Sequence, residues 1–332
     1  MKLITFAVPC YNSEDYMEKC IDSLLVFKDD VEIIIINDGS KDKTKKIADK
    51  YAKKYPNVVQ AVHKENGGHG SGVNMGLKLA KGLYFKVVDS DDWADKDAYE
   101  TILEYIKKSQ DSKNLVDMIV ANYVYEHPDG PRTINYKNVM PTNEVFSWND
   151  TKSFHNGQYL LMHSVFYKTK LVQEINLALP EKTFYVDNIF VYYPLPHIKT
   201  MYYLDVDFYR YFIGRDDQSV NENKMIERID QQLLVTETMI RFYHPYEIEN
   251  EKLSKYMIHY LTIMMTICNV LKARSGLPAN KEKLKTLWRM IKDYDSKLYY
   301  KLRYRSLASL TTLPNFIVVP GYKLAQKIFK FN

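Results

Sequence analysis

At 332 residues the chain is long enough to bury a large core and to form two domains, or one domain with a large extension. Hydrophobic residues make up 46% and charged residues 26%, a globular balance that excludes a globally disordered chain. The formal charge of +5 is uneven: residues 281–332 carry twelve Lys or Arg against Glu282, Asp293 and Asp295, so the remainder is net acidic and the basic character belongs to the C-terminal region. The 28 tyrosines predict many half-wet surfaces, since each joins an apolar ring to a polar tip. Cys10, Cys20 and Cys268 are odd in number and lack metal-ligand spacing, which suits a reducing cytoplasm. No cleavable leader follows Met1-Lys2. The longest uncharged stretch, Tyr256–Leu271, falls short of the roughly 20 apolar residues a membrane span needs and reads as a buried helix.

Residues 1–110 alternate strand and helix signals. Leu3–Val8 is an apolar run stopped by Pro9, and Ser13 is placed to cap a helix carrying Met17, Ile21, Leu24 and Leu25 at helical spacing. Val31–Ile36 is nearly all β-branched, as a strand buried on both faces requires. A turn at Asn37-Asp38-Gly39-Ser40 leads to a helix with Ile47, Ala48 and Tyr51. Val58–His63 is a third strand, Gly70–Lys81 a helix, and Leu83–Val88 a fourth strand. Helices between successive strands predict right-handed crossovers and a parallel sheet. Asp117–Tyr125 reads as a strand followed by the turn Pro128-Asp129-Gly130-Pro131, and residues 132–220 mix short strands with loops. From about Lys224 the pattern is helical, broken at Gly276-Leu277-Pro278. The expected division is a 1–220 domain, with a nucleotide-binding half at 1–110 and an acceptor half at 111–220, followed by a helical basic region at 221–332.

The fourth strand breaks off into Asp89-Ser90-Asp91-Asp92-Trp93. Carboxylates at i and i+2 on a strand end can share a hard divalent cation, and that cation can neutralise a diphosphate. Asp-x-Asp also occurs at Asp95/Asp97, Asp205/Asp207 and Asp293/Asp295, but only Asp89/Asp91 is launched from an apolar strand. Three turns, Pro9-Cys10-Tyr11-Asn12, Asn37-Asp38-Gly39-Ser40 and Asn66-Gly67-Gly68-His69-Gly70, fall at the ends of the first three strands. They share the edge where open α/β sheets bind ligands. One such turn is readily explained by turn geometry; these three converging on one edge with the Asp89 turn predict a site. The glycines fit neither G-x-G-x-x-G nor a P-loop.

The set Val8-Pro9-Cys10-Tyr11-Asn12, Asn37-Asp38-Gly39-Ser40-x-Asp42-x-Thr44, Asn66-Gly67-Gly68, Asn74-x-Gly76 and Val88-Asp89-Ser90-Asp91-Asp92-Trp93 resembles the inverting family 2 glycosyltransferases. The resemblance implies an α/β, Rossmann-like nucleotide-sugar-binding domain, the A-type glycosyltransferase fold, here with a helical C-terminal extension. It implies a donor site lined by Pro9, Tyr11, Asn12, Asp38, Asn66, Gly67, Asp89 and Ser90, with a uracil base the commonest occupant. Asp91, with Asp89, would bind Mn2+ or Mg2+. Val73 departs from the family, standing where an Arg commonly precedes the Asn of Asn74-x-Gly76.

An inverting transfer needs a base opposite the leaving nucleotide. Phe184-Tyr185-Val186-Asp187-Asn188 resembles the family's Glu-Asp signature at a helix start, with Val186 replacing the Glu, which implies Asp187 as that base. On the residues alone, Asp187 could instead cap the helix with Asn188. Tyr209-Arg210-Tyr211 and Gln218-Ser219 resemble a weaker signature that closes over the donor. His163 and His197 are open between structural roles and further metal ligands. Gln-x-x-Arg-Trp, associated with processive relatives, is absent, which favours addition of a single sugar.

Residues 297–305 interleave cations and aromatics, and Lys323, Lys327 and Lys330 share one helical face opposite Leu324, Ala325, Ile328 and Phe329. Such a helix can lie on an anionic membrane or dock on the protein. The expected activity is therefore a metal-dependent inverting transfer of one sugar from a nucleotide diphosphate donor to a glycan acceptor. A lipid-linked acceptor at the inner face of the membrane, in surface polysaccharide biosynthesis, fits best. A sugar-1-phosphate nucleotidyltransferase would need a basic glycine loop after the first strand, which Pro9-Cys10-Tyr11-Asn12 does not supply. A non-enzymatic membrane- or nucleic-acid-binding protein acting through the basic region is the third reading. No nucleic-acid motif accompanies that region, so no nucleic-acid partner is expected.

Overall fold

The computed structural model describes residues 1–214 and 221–329. They form two compact units, one of residues 1–152 with 160–214 and one of residues 153–159 with the described part of 215–332.

The first unit is built on a mixed ten-stranded sheet. Its strands are β1 (Ile4–Cys10), β2 (Val31–Asp38), β3 (Val59–Lys64), β4 (Tyr84–Val87), β5 (Trp93–Ala94), β6 (Met118–His127), β7 (Gly130–Ile134), β8 (Val145–Phe146), β9 (Val165–Lys168) and β10 (Met201–Phe212), in the order β3-β2-β1-β4-β9-β6-β10-β5. β3, β2, β1 and β4 are mutually parallel, and β7 and β8 pair with β6 and β10. β1, β2 and β4 are buried along almost their whole length, as their largely apolar sequences require. The crossovers are α1 (Met17–Leu24), α2 (Thr44–Lys54) and α3 (His69–Leu79), followed by α4 (Lys96–Asp111), α5 (Thr169–Glu174) and α6 (Asp187–Tyr192). α3 lies close on β1 because Gly76 has no side chain. A Cβ there would stand 2.5 Å from the Ala7 Cβ.

Ser13 does not cap α1. Its carbonyl accepts from the Tyr16 and Met17 amides, while its hydroxyl meets Ser90 Oγ at 2.8 Å. The tyrosines also differ from the compositional expectation. Tyr84, Tyr99, Tyr167 and Tyr209 are fully buried, and the first three send their hydroxyls to the carbonyls of Val116, Leu24 and Val191. A buried phenol needs such a partner, and strand and helix ends provide it here. Phe6, Tyr99 and Phe208 join β1, α4 and β10, with ring centroids 5.5–6.5 Å apart.

The second unit is helical: α7 (Glu222–Glu227), α8 (Ile229–Phe242), α9 (Glu251–Ser275), α10 (Pro278–Tyr294), α11 (Ser296–Tyr304), α12 (Leu307–Leu310) and α13 (Asn315–Phe329). Asn250 caps α9 by accepting from the Leu253 amide, and Gly276 ends it at φ +64, a conformation costly for other residues. α9 is buried along most of its length, as the Tyr256–Leu271 pattern predicts. Among the described residues no helix is long and apolar enough to cross a membrane.

Candidate active site

Parallel register brings the turns together. Cys10 pairs with Asn37, Asp38 pairs with Lys64, and the Val88 amide donates to Ala7 O, so residues 89–91 leave the sheet beside Pro9 and Tyr11. Pro9 is buried against Gly72 of α3, while Tyr11 is 51% exposed, a free ring at the edge. Asn12, at φ +50, braces the neighbouring turn: its amide donates to Ser40 Oγ and its Oδ1 accepts from the Lys41 amide. Asp38 is only 3% exposed, and its carboxylate accepts from Lys64 Nζ (2.7 Å), Gly67 N (2.9 Å) and Gly68 N (2.7 Å). Asn66 adds a bond from Nδ2 to Asp38 O. Asp38 therefore fixes the glycine loop, and Gly68 at φ +82 turns that loop into α3.

The first residue of α3, His69, places Nε2 2.8 Å from Asp89 Oδ1, while His163 Nε2 lies 3.8 Å from Asp89 Oδ2. Burial alone would raise the Asp89 carboxyl, but these two imidazoles outweigh it and hold it far below the usual carboxylate range. Burial works against a charged His69, yet Asp89, Asp187 and Asp91 together raise it above an ordinary histidine. Asp187 belongs to the same group. Burial pushes its carboxyl up, His163 and His69 pull it down, and Asp89 pushes it up again. The structure thus brings the donor-side carboxylates and Asp187 into one electrostatic cluster.

The chain delivers Asp187 there through contacts made by the glycine loop and α3. Both amide atoms of Asn74 bind the Leu179 backbone, at 2.8 and 2.9 Å, and the Lys182 amide donates to Gly67 O. Gly70 makes room for Pro180 O, which a Cβ would meet at 2.5 Å. Asp187 then opens α6 with Val186 at the N-cap and no capping side chain, so the capping alternative does not hold.

Four contributors are not evident from the motifs. His69 is signalled only by its place between two glycines. Lys86 is a cation inside the apolar run of β4. It is fully buried, and its Nζ donates to the carbonyls of Met162 (2.8 Å), His163 (2.5 Å) and Val165 (3.2 Å). It thereby ties the turn carrying His163 to the strand carrying Asp89. Asp92 is buried and accepts from Tyr209 OH (2.6 Å) and Phe212 N (2.9 Å), while the Asp89 amide donates to Tyr209 OH (3.1 Å). Tyr209 thus hooks the acidic turn onto β10. Arg210 is engaged by Asp95 and Glu126. Gln218-Ser219 lies outside the described residues.

Asp89, Asp92 and His163 can each offer a ligand atom within 4.8 Å of the others. Asp92 suits a cation poorly, because both oxygens are taken and burial, with Asp91 and Asp89 adding to it, raises its carboxyl well above normal. Asp89 Oδ2 and His163 Nε2 fit better. Their separation is too long for a hydrogen bond; cis ligands of an octahedral ion stand closer, about 3 Å apart, so the two side chains would draw together on a bound cation. His197 is not in this group; it is exposed beside Tyr193, and burial of its ring alone lowers its pKa. The remaining Asp-x-Asp pairs have structural uses. Asp95 caps α4, Asn122 Nδ2 donates to both Asp205 and Asp207, and Asp295 caps α11.

A mixed sheet with acids and a glycine loop gathered at its strand ends places a ligand site on the carboxyl edge of the sheet, as open α/β folds do. Residues 5–169 match the family model for glycosyl transferase family 2, and the chain belongs to that family; it is a glycosyltransferase with the A-type fold. It is 26% identical over 273 residues to EpsH of Bacillus subtilis (strain 168), covering 80% of this chain and 76% of that one. It is 40% identical over 111 residues to the poly(ribitol-phosphate) beta-glucosyltransferase of Bacillus spizizenii, 32% of this chain and 18% of that one. S. aureus TarS 1-349, solved in complex with UDP-GlcNAc, superposes with a TM-score of 0.69 at 19% identity, over 98% of this chain and 92% of that one.

Proposed function

We propose that the chain transfers one sugar, with inversion, from a UDP-sugar to a hydroxyl of a lipid-linked glycan in surface-polysaccharide biosynthesis. The single observation that carries this reading is the grouping at the end of β4, where His69 and His163 lie 2.8 and 3.8 Å from the two oxygens of Asp89 and Asp187 at the head of α6 stands in the field of both histidines. Two similarities support the donor and pathway: UDP-GlcNAc is bound by TarS, and poly(ribitol-phosphate) stands in the name of the Bacillus spizizenii relative.

In this reading the base of the donor stacks on Tyr11 between Pro9 and the loop at Asn66-Gly67. Asp89, Asp91 and His163 would hold Mn2+ or Mg2+, which when bound supplies positive charge to the diphosphate. His69 orients Asp89 and adds a cation where Val73 replaces the family's usual arginine. A sugar hydroxyl is too weak an acid to ionise before attack, so Asp187 takes its proton as the new bond forms. The raised Asp187 carboxyl is the stronger base for that purpose. A panel of nucleotide sugars with Mn2+, read by thermal stabilisation and by hydrolysis, tests this reading. Stabilisation by UDP-sugars, weakened by Asp91→Asn, is expected; a panel in which no nucleotide sugar stabilises the protein would overturn it.

A further inference from the structure

The second unit carries a surface that the transfer chemistry does not use. Among the described residues, eight of the fifteen large apolar side chains left exposed lie between Tyr300 and Leu324. They include Leu310 at 61%, Phe316 at 77% and Leu324 at 60% exposure. Residues 296–332 contain seven Lys or Arg and no Asp or Glu. The packing explains why this apolar face is left outside. α13 lays Val318, Val319 and Tyr322 against Val270 and Ala273 of α9, while Phe316, Ile317 and Leu324 remain exposed. α11 buries Leu298 and Leu302 and leaves Tyr300 and Tyr304 exposed. Lys297, Arg305 and Lys323 are exposed along the same stretch, and none is in an ion pair among the described residues.

We propose that this face docks on an anionic phospholipid surface, with Phe316 and Ile317 entering the acyl boundary and Lys297, Arg305 and Lys323 meeting headgroup phosphates. Exposed apolar side chains at this density mark a binding face, and cations outside ion pairs, with Lys297 and Arg305 over the rings of Tyr246 and Tyr300, select an anionic partner. A second copy of the chain presents the same unopposed positive charge, so face-to-face pairing is repulsive. A nucleic acid would use the cations and the tyrosine rings but has no use for the aliphatic side chains of Leu307, Leu310, Leu313 and Ile317. A lipid interface matches both the charge and the aliphatic surface.

The full chain is sedimented with vesicles of phosphatidylcholine alone or mixed with phosphatidylglycerol, at low and high salt. Salt-sensitive binding to the mixed vesicles is expected. Phe316→Ser with Ile317→Ser should weaken it by at least about tenfold, and Arg305→Glu with Lys323→Glu should remove the preference for phosphatidylglycerol. Both variants alter exposed residues, so thermal unfolding should match wild type. The proposal is overturned if wild type ignores the mixed vesicles or if the paired serine substitutions bind them as wild type does. It is also overturned if light scattering shows self-association that those substitutions abolish, or if a single-stranded oligonucleotide displaces the protein from vesicles. Nucleotide-sugar hydrolysis measured without vesicles should be unchanged in both variants, so failure of lipid docking stays separate from failure of the transfer reading.

Discussion

Lys86→Met keeps the length of a fully buried side chain and removes its three donors. Three carbonyls losing a donor cost about 1 kcal/mol each at the lower end of the range, about 3 kcal/mol together. Opposing this is relief from burying an ammonium, of the order of several kcal/mol; burial already drives the Lys86 pKa well below that of a free lysine. The two terms are similar in size, so unfolding temperature should move by only a few degrees. Activity should respond more strongly, because the turn at Met162–Ser164 loses its tie to β4 and His163 loses its register with Asp89. A displacement of about 1 Å at a reacting group costs on the order of a hundredfold in rate. The assay is a double-mutant cycle with His163→Ala, reading kcat and melting temperature together. Lys86→Met should lower kcat about 10- to 100-fold alone and have little further effect in the His163→Ala background. Equal losses in both backgrounds, or a loss explained by unfolding, would refute the positioning role.

Asp187→Asn should stabilise the fold near neutral pH. A carboxyl whose folded pKa is raised favours folding below its unfolded pKa and loses that contribution as pH rises through the folded value, so the amide's advantage should shrink on acidification. Denaturant titrations across pH test this, and an advantage that grows toward acid would contradict it. Burial raises the thiols of Cys10 and Cys268 to about 12 and that of Cys20 well above normal. At pH 8 the thiolate fraction for a pKa of 12 is about one in ten thousand. A disulfide reagent should therefore titrate none rapidly until the protein unfolds; one fast equivalent in the native state would contradict the burial. Gly76→Ala brings a methyl against Ala7 and should cost about 1–3 kcal/mol, read as a lower denaturant midpoint. An unchanged midpoint would show that α3 can shift away from β1.

The parallel half of the sheet was legible because Val31–Ile36 and Leu83–Val88 are apolar at all but one position each, Glu32 and Lys86, and the ends of β2 and β4 followed from Asp38 and Asp89, whereas β1 runs on through Pro9 to Cys10. The choice of Asp89/Asp91 among four similar pairs rested on the strand before it, and the capping and pairing roles of the others account for them. Other contributors were hidden because their partners are distant in sequence. Lys86 looks like an error in an apolar strand until residues 162–165 close over it, and Asp92 looks like a third surface acid until Tyr209 reaches it from β10. The bonds of Asp38 were hidden in the same way, since its carboxylate holds a loop 26–30 residues downstream. His197 follows α6 closely in sequence but ends on the exposed side of its turn.

Transfer by this site depends most on Asp187 acting as a base across from a donor held by the sheet edge. The decisive measurement is the split between donor affinity and turnover in Asp187→Asn, using a UDP-sugar that stabilises the wild-type protein. Affinity should stay within a fewfold while kcat falls by about 10²- to 10⁴-fold. Full turnover in the amide variant, or loss of donor binding in step with loss of turnover, would contradict it.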